Sequence, residues 1–345
     1  MNSVKKLVRA NIAALQPYST ARDEYRGELG VLLDANENPY DNGVNRYPST
    51  ALKEQLRRRV AAIKNIAAER LFLGNGSDEA IDLCYRVFCE PGRDNAVIIA
   101  PSYGMYQVSA DVNHVEYRQV PLDADFDMHA DALLAAADEH TKVMWVCSPN
   151  NPSGNLMDRA EIEKLLRGFG GIVVIDEAYI DFADTPSWTE QLDRFPNLIV
   201  LQTFSKAWGL ASVRCGMAFA SEEVLGYFNK VKYPYNINLL TQNFVSEQLD
   251  HLDRKEAWVK TLLAERTRLQ QELQALPCVV KTHPTDANFI LTQVKDANAT
   301  YRYLVDCGIV TRNRNSVLLC AGCLRITVGT PEENSLLLEA LRKMK

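Results

Sequence analysis

The most constraining feature of the sequence is the stretch from residue 96 to residue 220, in which short apolar runs alternate with amphipathic segments. The apolar runs are "AVIIAP" (96–101), "KVMWVCSP" (142–149), "GIVVIDEAY" (171–179), "LIVLQTFSK" (198–206) and "RCGMAFA" (214–220). Strands that are apolar throughout are typical of a sheet covered on both faces. Their alternation with helical patterns such as "MDRAEIEKLLRGF" predicts an open, mainly parallel sheet. We therefore expect an α/β fold with a central sheet covered by helices.

The C-terminal part of the chain has a different pattern. A long helical pattern at 239–276 is followed by short strand-like runs and a final helix at 332–344. This order predicts a smaller α+β domain. We expect three parts: an N-terminal arm at 1–28, a large domain at 29–245 and a small C-terminal domain at 246–345.

The arm carries its own periodic signal. Val4, Leu7, Val8 and Ile12 recur at helical spacing. This spacing predicts an amphipathic segment that docks on a neighbour. The arm has no continuous apolar core of the kind found in secretory signals, so we expect a cytoplasmic protein.

Composition excludes several classes of partner. The net charge is −6 and the chain has no dense stripe of Lys and Arg, which argues against nucleic-acid binding. No apolar run approaches the roughly 18 residues that a membrane span needs. Eight cysteines are scattered over the chain, and the single CxxC, Cys320 with Cys323, has no second pair or nearby histidine. We therefore predict no metal site, and favour small buried hydrophobic residues over a redox pair.

Polar residues follow three of the predicted strands at the point where each strand ends. They are Asn151, Asp176, Tyr179, Ser205 and Lys206. Taken singly, each has an ordinary explanation as a turn residue, a helix cap or a surface charge. Ligands of open α/β sheets bind outside the carboxyl ends of the strands. Together these residues therefore predict one binding crevice.

Two upstream motifs extend this crevice. In "FLGNGSDEAIDLCYRVF", glycines precede a predicted helix, and the free N–H groups near Ser77 and Asp78 form a potential anion site. Tyr103 follows another strand and suits either core packing or a platform for a flat ligand. The ligand would be anionic at one end and aromatic in the middle, with a basic nitrogen facing Asp176 and an electrophilic carbon facing Lys206. Pyridoxal 5′-phosphate (PLP) fits all four requirements.

The motifs resemble those of the class II aminotransferases of PLP fold type I, and they are most similar to the histidinol-phosphate aminotransferase subfamily. The resemblance covers nearly the whole chain. It rests on "LDANENPY" (33–40), "RYP" (46–48), "GNGSDE" (74–79), "SPNNPSG" (148–154), "DEAYIDF" (176–182), "FSKAWGLASVRCG" (204–216) and "CLRITVGT" (323–330).

The resemblance implies a role for each site residue. Lys206 would form the covalent Schiff base with PLP, and Asp176 would pair with the ring nitrogen. The remaining cofactor contacts would be hydrogen bonds to the ring hydroxyl from Asn151 and Tyr179, stacking by Tyr103, and phosphate contacts from Ser77, Asp78, Ser205 and Arg214. Tyr47 would reach the phosphate of a neighbouring subunit, which implies a homodimer with shared active sites.

Substrate recognition is expected to rest on arginines and an arm tyrosine. Histidinol phosphate has no carboxylate, so its phosphate must occupy the place where glutamate puts one, and arginine forks suit both anions. The resemblance implies that Arg325 holds the anionic end and that Arg312 is the second arginine. Arg314, two residues later, stays open as the alternative to Arg312. Tyr18 matches an arm tyrosine that covers the substrate.

The function implied by this resemblance is a PLP-dependent aminotransferase of L-histidine biosynthesis. It would convert L-histidinol phosphate and 2-oxoglutarate to imidazole-acetol phosphate and L-glutamate. The alternatives within the same fold are an aromatic amino-acid aminotransferase and a PLP-dependent decarboxylase of the phosphothreonine type. A PLP-binding regulator is a third alternative, but such regulators carry a DNA-binding domain and the arm contains no basic recognition helix.

Overall fold

The structure, a computed structural model, describes residues 4–24 and 30–344. Its α-helices are α1 (Ala10–Ala14), α2 (Ala21–Glu24), α3 (Thr50–Ile63), α4 (Ser77–Phe88), α5 (Met105–Val112), α6 (Ala130–Ala135), α7 (Arg159–Gly168), α8 (Glu222–Val231), α9 (Leu239–Gln248), α10 (Leu252–Gln274), α11 (Ala297–Asp306) and α12 (Pro331–Lys343). Its strands are β1 (Leu71–Asn75), β2 (Asn95–Ala100), β3 (Glu116–Pro121), β4 (Thr141–Cys147), β5 (Ile172–Asp176), β6 (Leu198–Thr203), β7 (Cys215–Phe219), β8 (Val279–Thr282), β9 (Phe289–Val294), β10 (Arg312–Asn313) and β11 (Cys323–Thr327).

The first seven strands form one sheet in the order β1-β7-β6-β5-β4-β2-β3. The pairs among β3, β2, β4, β5 and β6 are parallel, and only β7 runs antiparallel to its two neighbours. This confirms the predicted α/β fold with a mainly parallel central sheet. All five apolar runs read from the sequence are strands of it.

Alternate residues of the central strands pack into two separate apolar clusters. In β4, Met144 and Val146 point into one cluster, while Val143 and Trp145 point into the other. All four are buried. Because helices cover both faces of the sheet, neither face tolerates polar side chains, which is why these strands are apolar throughout.

The remaining strands form a four-stranded antiparallel sheet in the order β10-β11-β9-β8. Side chains from this sheet and from α10, α11 and α12 form their own apolar cluster, which includes Leu269, Ile290 and Leu338. The long helical pattern at 239–276 forms two helices, α9 and α10. A 3-10 turn at Leu249–His251 separates them, and the ψ of 43° at His251 lies outside the helical region.

The domain boundary at residues 245 and 246 stays a prediction, and the arm boundary at 28 and 29 lies outside the described residues. Within the arm, Val4, Val8 and Ile12 are buried in a cluster with α4 and α8 of the same chain. The amphipathic arm is therefore docked on its own chain here. The helices in the described parts of the chain include none that is both long and apolar enough to cross a membrane.

Candidate active site

The carboxyl ends of β4, β5 and β6 lie side by side and bring the predicted crevice residues together. Cys147, at the end of β4, pairs with Asp176, and Asp176 pairs with Leu201 of β6. Asn151 and Lys206 follow the ends of the outer two of these strands. The three strand ends therefore frame one cleft, as the sequence predicts for an open α/β sheet.

Asp176 forms the buried acidic group of this cleft. It is 2% exposed, and its Oδ1 accepts a hydrogen bond from the Ala178 N–H at 3.0 Å. Its Oδ2 accepts one from the Tyr106 hydroxyl at 2.7 Å. Burial raises the pKa of Asp176 to about 6, although these two hydrogen bonds and Lys206 act in the opposite direction. A cationic partner would favour the charged form of this carboxylate.

Tyr106 is a site residue that the sequence analysis missed. It is fully buried and stacks on Trp145 with ring centroids 4.8 Å apart. The sequence did contain a signal for Tyr106. It follows Tyr103 by three residues, about one helical turn, so the two side chains are expected on the same side of the segment. The two rings meet edge to face at 5.6 Å. Tyr106 supports the Asp176 carboxylate through its hydrogen bond. None of the sequence motifs indicated this role.

Lys206 lies near the ring of Tyr179, with its Nζ 5.5 Å from the ring centroid. Desolvation by the surrounding protein is the largest effect that lowers the pKa of Lys206. The positive charge of Arg325 lowers it further, and the negative charge of Asp176 opposes both. A lysine with a lowered pKa presents more neutral amine, which is the nucleophilic and basic form.

Tyr179 and Asn151 connect this lysine to the second sheet. The Asn151 Nδ2 donates to the Tyr179 hydroxyl at 3.4 Å, and both residues are buried. The Asn151 Oδ1 accepts a hydrogen bond from Arg325 Nη1 at 2.5 Å. Arg325 lies in β11 of the antiparallel sheet, so this contact joins the two sheets across the cleft.

The start of α4 lies at the opposite end of the cleft and packs tightly against β7. Gly76, at the N-cap of α4, has a φ of 71° and offers no side chain to the free N–H groups of the first turn. A Cβ added at Gly216 would lie 2.2 Å from the Ser77 nitrogen, so only glycine fits there. The Gly76 N–H also donates to the Arg214 carbonyl at 2.9 Å.

Arg214 and Tyr103 converge on Asp78 in this first turn. Arg214 Nη2 lies 3.1 Å from Asp78 Oδ2, and the Tyr103 hydroxyl donates to Asp78 Oδ1 at 3.1 Å. The Ser205 hydroxyl lies 3.0 Å from Thr203 Oγ1 and accepts its hydrogen bond. The free N–H groups at the start of α4 and the Arg214 guanidinium, which is paired with Asp78, are the donors that an anion could bind here.

Tyr18 and Tyr47 are not brought to Lys206 within this chain. Both line a cavity of about 960 Å³, and neither Asp176 nor Lys206 lines it. Tyr47 stacks on Tyr235 with ring centroids 4.5 Å apart. Both tyrosines remain half or more exposed, and they are therefore available to contact another surface.

The residues present fit PLP. A buried carboxylate suits a pyridinium nitrogen, a lysine amine suits the aldehyde carbon, and the start of α4 with Arg214 suits the phosphate. The glycines at 76 and 216 create the cradle for that phosphate, because a Cβ at Gly76 would lie 2.5 Å from the Arg214 guanidinium. Within the described residues, no group of His, Cys, Asp and Glu could hold a metal ion.

The fold and the site define a class, the PLP enzymes of fold type I. The chain belongs to the family described as aminotransferase class I and II, whose model matches residues 24–341. It is 55% identical over 344 residues to a histidinol-phosphate aminotransferase of Bacteroides thetaiotaomicron, with 99% of both chains covered.

Solved structures share the fold at lower sequence identity. The histidinol-phosphate aminotransferase of Clostridium acetobutylicum superposes with a TM-score of 0.79 at 22% identity, covering 87% of this chain and 90% of that one. The enzyme of the same name from Sinorhizobium meliloti, in complex with pyridoxal-5′-phosphate, has a TM-score of 0.78 at 22% identity, covering 86% of this chain and 82% of that one. These two superpositions confirm the predicted fold type.

Proposed function

We propose that this chain is a PLP-dependent aminotransferase of L-histidine biosynthesis. It exchanges the amino group between L-histidinol phosphate and 2-oxoglutarate, giving imidazole-acetol phosphate and L-glutamate, and the reaction is reversible. The observation that supports the proposal is the hydrogen bond from Arg325 to Asn151, because the charge of Arg325 also acts on Lys206 and an anionic amino donor needs a cation near the reactive amine. The full-length likeness to a histidinol-phosphate aminotransferase supports the same substrates.

Bound PLP supplies an electrophilic carbon and an electron-accepting ring. Lys206 is the residue that would attach it covalently, and Asp176 would pair with its ring nitrogen. Tyr103 would stack on the ring, and Asn151 and Tyr179 would bind its hydroxyl oxygen. The phosphate would be held by the N–H groups of Ser77 and Asp78, the Ser205 hydroxyl and the Arg214 guanidinium.

Two residues of the chain manage the protons. The Lys206 amine, once free, would accept the proton from the substrate carbon that bears the amino group and would deliver it to the cofactor carbon on the other side of that nitrogen. The lowered pKa of Lys206 keeps that amine available as a base. The Asp176 carboxylate would keep the cofactor's ring nitrogen protonated, and burial would strengthen this pairing because water does not screen it.

Arg325 and Arg312 are the proposed holders of the substrate's anionic end. They face each other across the antiparallel pair of β10 and β11, so both side chains lie on the same face of the sheet. Arginine forks accept a carboxylate or a phosphate, as this pair of substrates requires. Tyr18, on the exposed arm, is proposed to cover the substrate.

A homodimer with shared active sites is part of the proposal. Several large apolar side chains are exposed around Tyr47, which supports a subunit interface there. Tyr18, Val44 and Leu240 line the same cavity as Tyr47, and like Tyr47 they are exposed. In such a dimer Tyr47 would reach the phosphate bound by the partner subunit. We also propose a cytoplasmic location, where the substrates of amino-acid biosynthesis are found.

Amino-donor profiling of the PLP-loaded protein tests the reaction. We expect turnover of L-histidinol phosphate with 2-oxoglutarate to exceed turnover of L-phenylalanine. O-phosphothreonine should release no carbon dioxide. Absence of turnover with histidinol phosphate, together with good turnover of phenylalanine, would replace this proposal with an aromatic aminotransferase. Carbon dioxide release would replace it with a decarboxylase.

A further inference from the structure

Three arginines lie on one face of the small sheet, the face from which Arg325 reaches Asn151 in the Lys206 cleft. Arg312 pairs directly with Arg325. The pairing continues two residues further, because the Arg314 N–H donates to the Cys323 carbonyl at 2.9 Å. Side chains alternate between the faces of a strand, so Arg312, Arg314 and Arg325 lie on the same face.

This arginine cluster has very few partners for its positive charge. Among the residues that the structure describes, none of the three forms an ion pair with a carboxylate, and the one side-chain hydrogen bond runs from Arg325 to the neutral Asn151. The Nε atoms of Arg314 and Arg325 are buried and have no hydrogen-bond partner among the described residues. A buried donor left unpaired destabilises the protein unless a ligand satisfies it.

Arg314 lies close enough to Arg325, Arg312 and Tyr179 for their charges to affect its own. Burial is the largest effect that lowers the pKa of Arg314, and the positive charges of Arg325 and Arg312 lower it further. The Tyr179 hydroxyl, which also bonds Asn151, is among the groups that interact with it. Arg314 is half-buried, whereas Arg312 is exposed. Of these two arginines, Arg314, which directly follows β10, is the less exposed.

We propose that Arg314 is a specificity-determining residue that binds the phosphate of the phosphorylated substrate in addition to Arg312 and Arg325. This inference rests on the proposed function and names the residue that separates its two substrates. Three guanidinium groups without a carboxylate match a dianionic phosphate monoester better than a carboxylate with a single negative charge. Glutamate therefore needs fewer of these arginines, and Arg314 is the one it does not use.

The test compares the two half-reactions of the PLP-loaded, full-length protein. Arg314→Gln removes the charge. Arg314→Lys keeps the charge but loses the planar guanidinium group that donates two parallel hydrogen bonds. Arg302→Gln is the matched control, because Arg302 is exposed on α11 in the same domain. We expect Arg314→Gln to lower kcat/KM for L-histidinol phosphate by about 10- to 100-fold, while kcat/KM for L-glutamate changes less than about fivefold. Arg314→Lys should fall between the wild type and Arg314→Gln.

A binding measurement separates this inference from the proposed function. Inorganic phosphate is titrated as an inhibitor of the glutamate half-reaction, and Arg314→Gln should weaken its binding by about tenfold. If the wild type does not react with histidinol phosphate, the proposed reaction fails while the phosphate titration still tests Arg314. Equal losses with both amino donors, or unchanged phosphate binding, overturn the role of Arg314. If Arg314→Gln does not fold, the same comparison is made with Arg314→Lys.

Discussion

The Tyr106 hydroxyl donates a 2.7 Å hydrogen bond to Oδ2 of Asp176, and both residues are buried beneath the cleft that contains Lys206. The relationship matters because Asp176 is useful only when it is charged. A hydrogen bond to the charged form of an acid lowers its pKa and thus opposes the effect of burial. Tyr106, held by stacking on Trp145, is the fixed donor that provides this bond.

Replacing Tyr106 by Phe should therefore raise the pKa of Asp176 above 6. A hydrogen bond to a charged group contributes about 1.5–3 kcal/mol, which corresponds to an increase of about one to two pH units. We expect the acid limb of the pH–rate profile of the PLP-loaded enzyme to move to higher pH. Tyr301→Phe, on α11, is the control that should leave the limb in place. An unchanged acid limb in Tyr106→Phe would show that Tyr106 only packs.

Asp176→Asn should stabilise the cofactor-free protein at neutral pH. Burial raises the pKa of this acid from 3.8 to about 6, so the folded state binds more protons than the unfolded state between these values. Stability therefore falls as the pH rises from about 4 to about 6, by roughly 3 kcal/mol at most. Urea unfolding of the cofactor-free variant should show its advantage over the wild type at pH 7.5 and little difference below about pH 3.5.

The control for this change is Asp184→Asn, because Asp184 is exposed on the surface. The PLP-loaded Asp176→Asn enzyme should meanwhile lose activity by about 100-fold or more, since the charge that keeps the ring nitrogen protonated is gone. A stability difference that does not depend on pH would rule out the ionisation of Asp176 as its cause.

Lys206→Ala should abolish turnover by about 10³-fold or more, because the protein loses both the covalent attachment and the proton-transfer amine. Its cofactor should be removable by dialysis, whereas the wild type retains it. Lys260→Ala, at an exposed position of α10, is the control and should behave like the wild type. Normal turnover by a Lys206→Ala protein that still binds PLP would refute the assigned role of the lysine.

Mixing two inactive variants tests the shared active site. Lys206→Ala and Tyr47→Ala, unfolded and refolded together, should regain about a quarter of the wild-type activity, since half of the dimers are mixed and each mixed dimer contains one intact site. The single variants refolded alone are the controls. Activity that does not exceed the average of the two controls would show that Tyr47 does not act on the partner subunit.

Two glycines give opposite predictions for the same substitution. Gly216→Ala places a Cβ 2.2 Å from the Ser77 nitrogen, so we expect a loss of about 1–3 kcal/mol or more in stability and weaker PLP binding. Gly226 lies inside α8 with nothing near its missing Cβ. Gly226→Ala should raise stability by about 0.5–1 kcal/mol. Equal effects of the two substitutions on urea unfolding would contradict the close packing of β7 on α4.

The sequence alone determined the arrangement of the large domain and the chemistry at its strand ends. Strands buried on both faces must be apolar throughout, so they are visible in the sequence, and ligands bind where parallel strands end. Asn151, Asp176 and Lys206 could be placed in one crevice on that basis. β3, β8 and β10 were not predicted, because short strands at sheet edges carry weak patterns, and the break at His251 left no clear mark in a continuous helical pattern.

Only the tertiary structure decided which distant residues meet this crevice. Tyr106 looks like a core aromatic in the sequence, and its hydroxyl acquires a role only because packing on Trp145 aims it at Asp176. Arg314 and Arg325 are separated along the chain, and the antiparallel pairing of β10 with β11 brings them to one face. A local pattern reports burial and strand ends, but the pairing of side chains from different elements depends on how those elements pack.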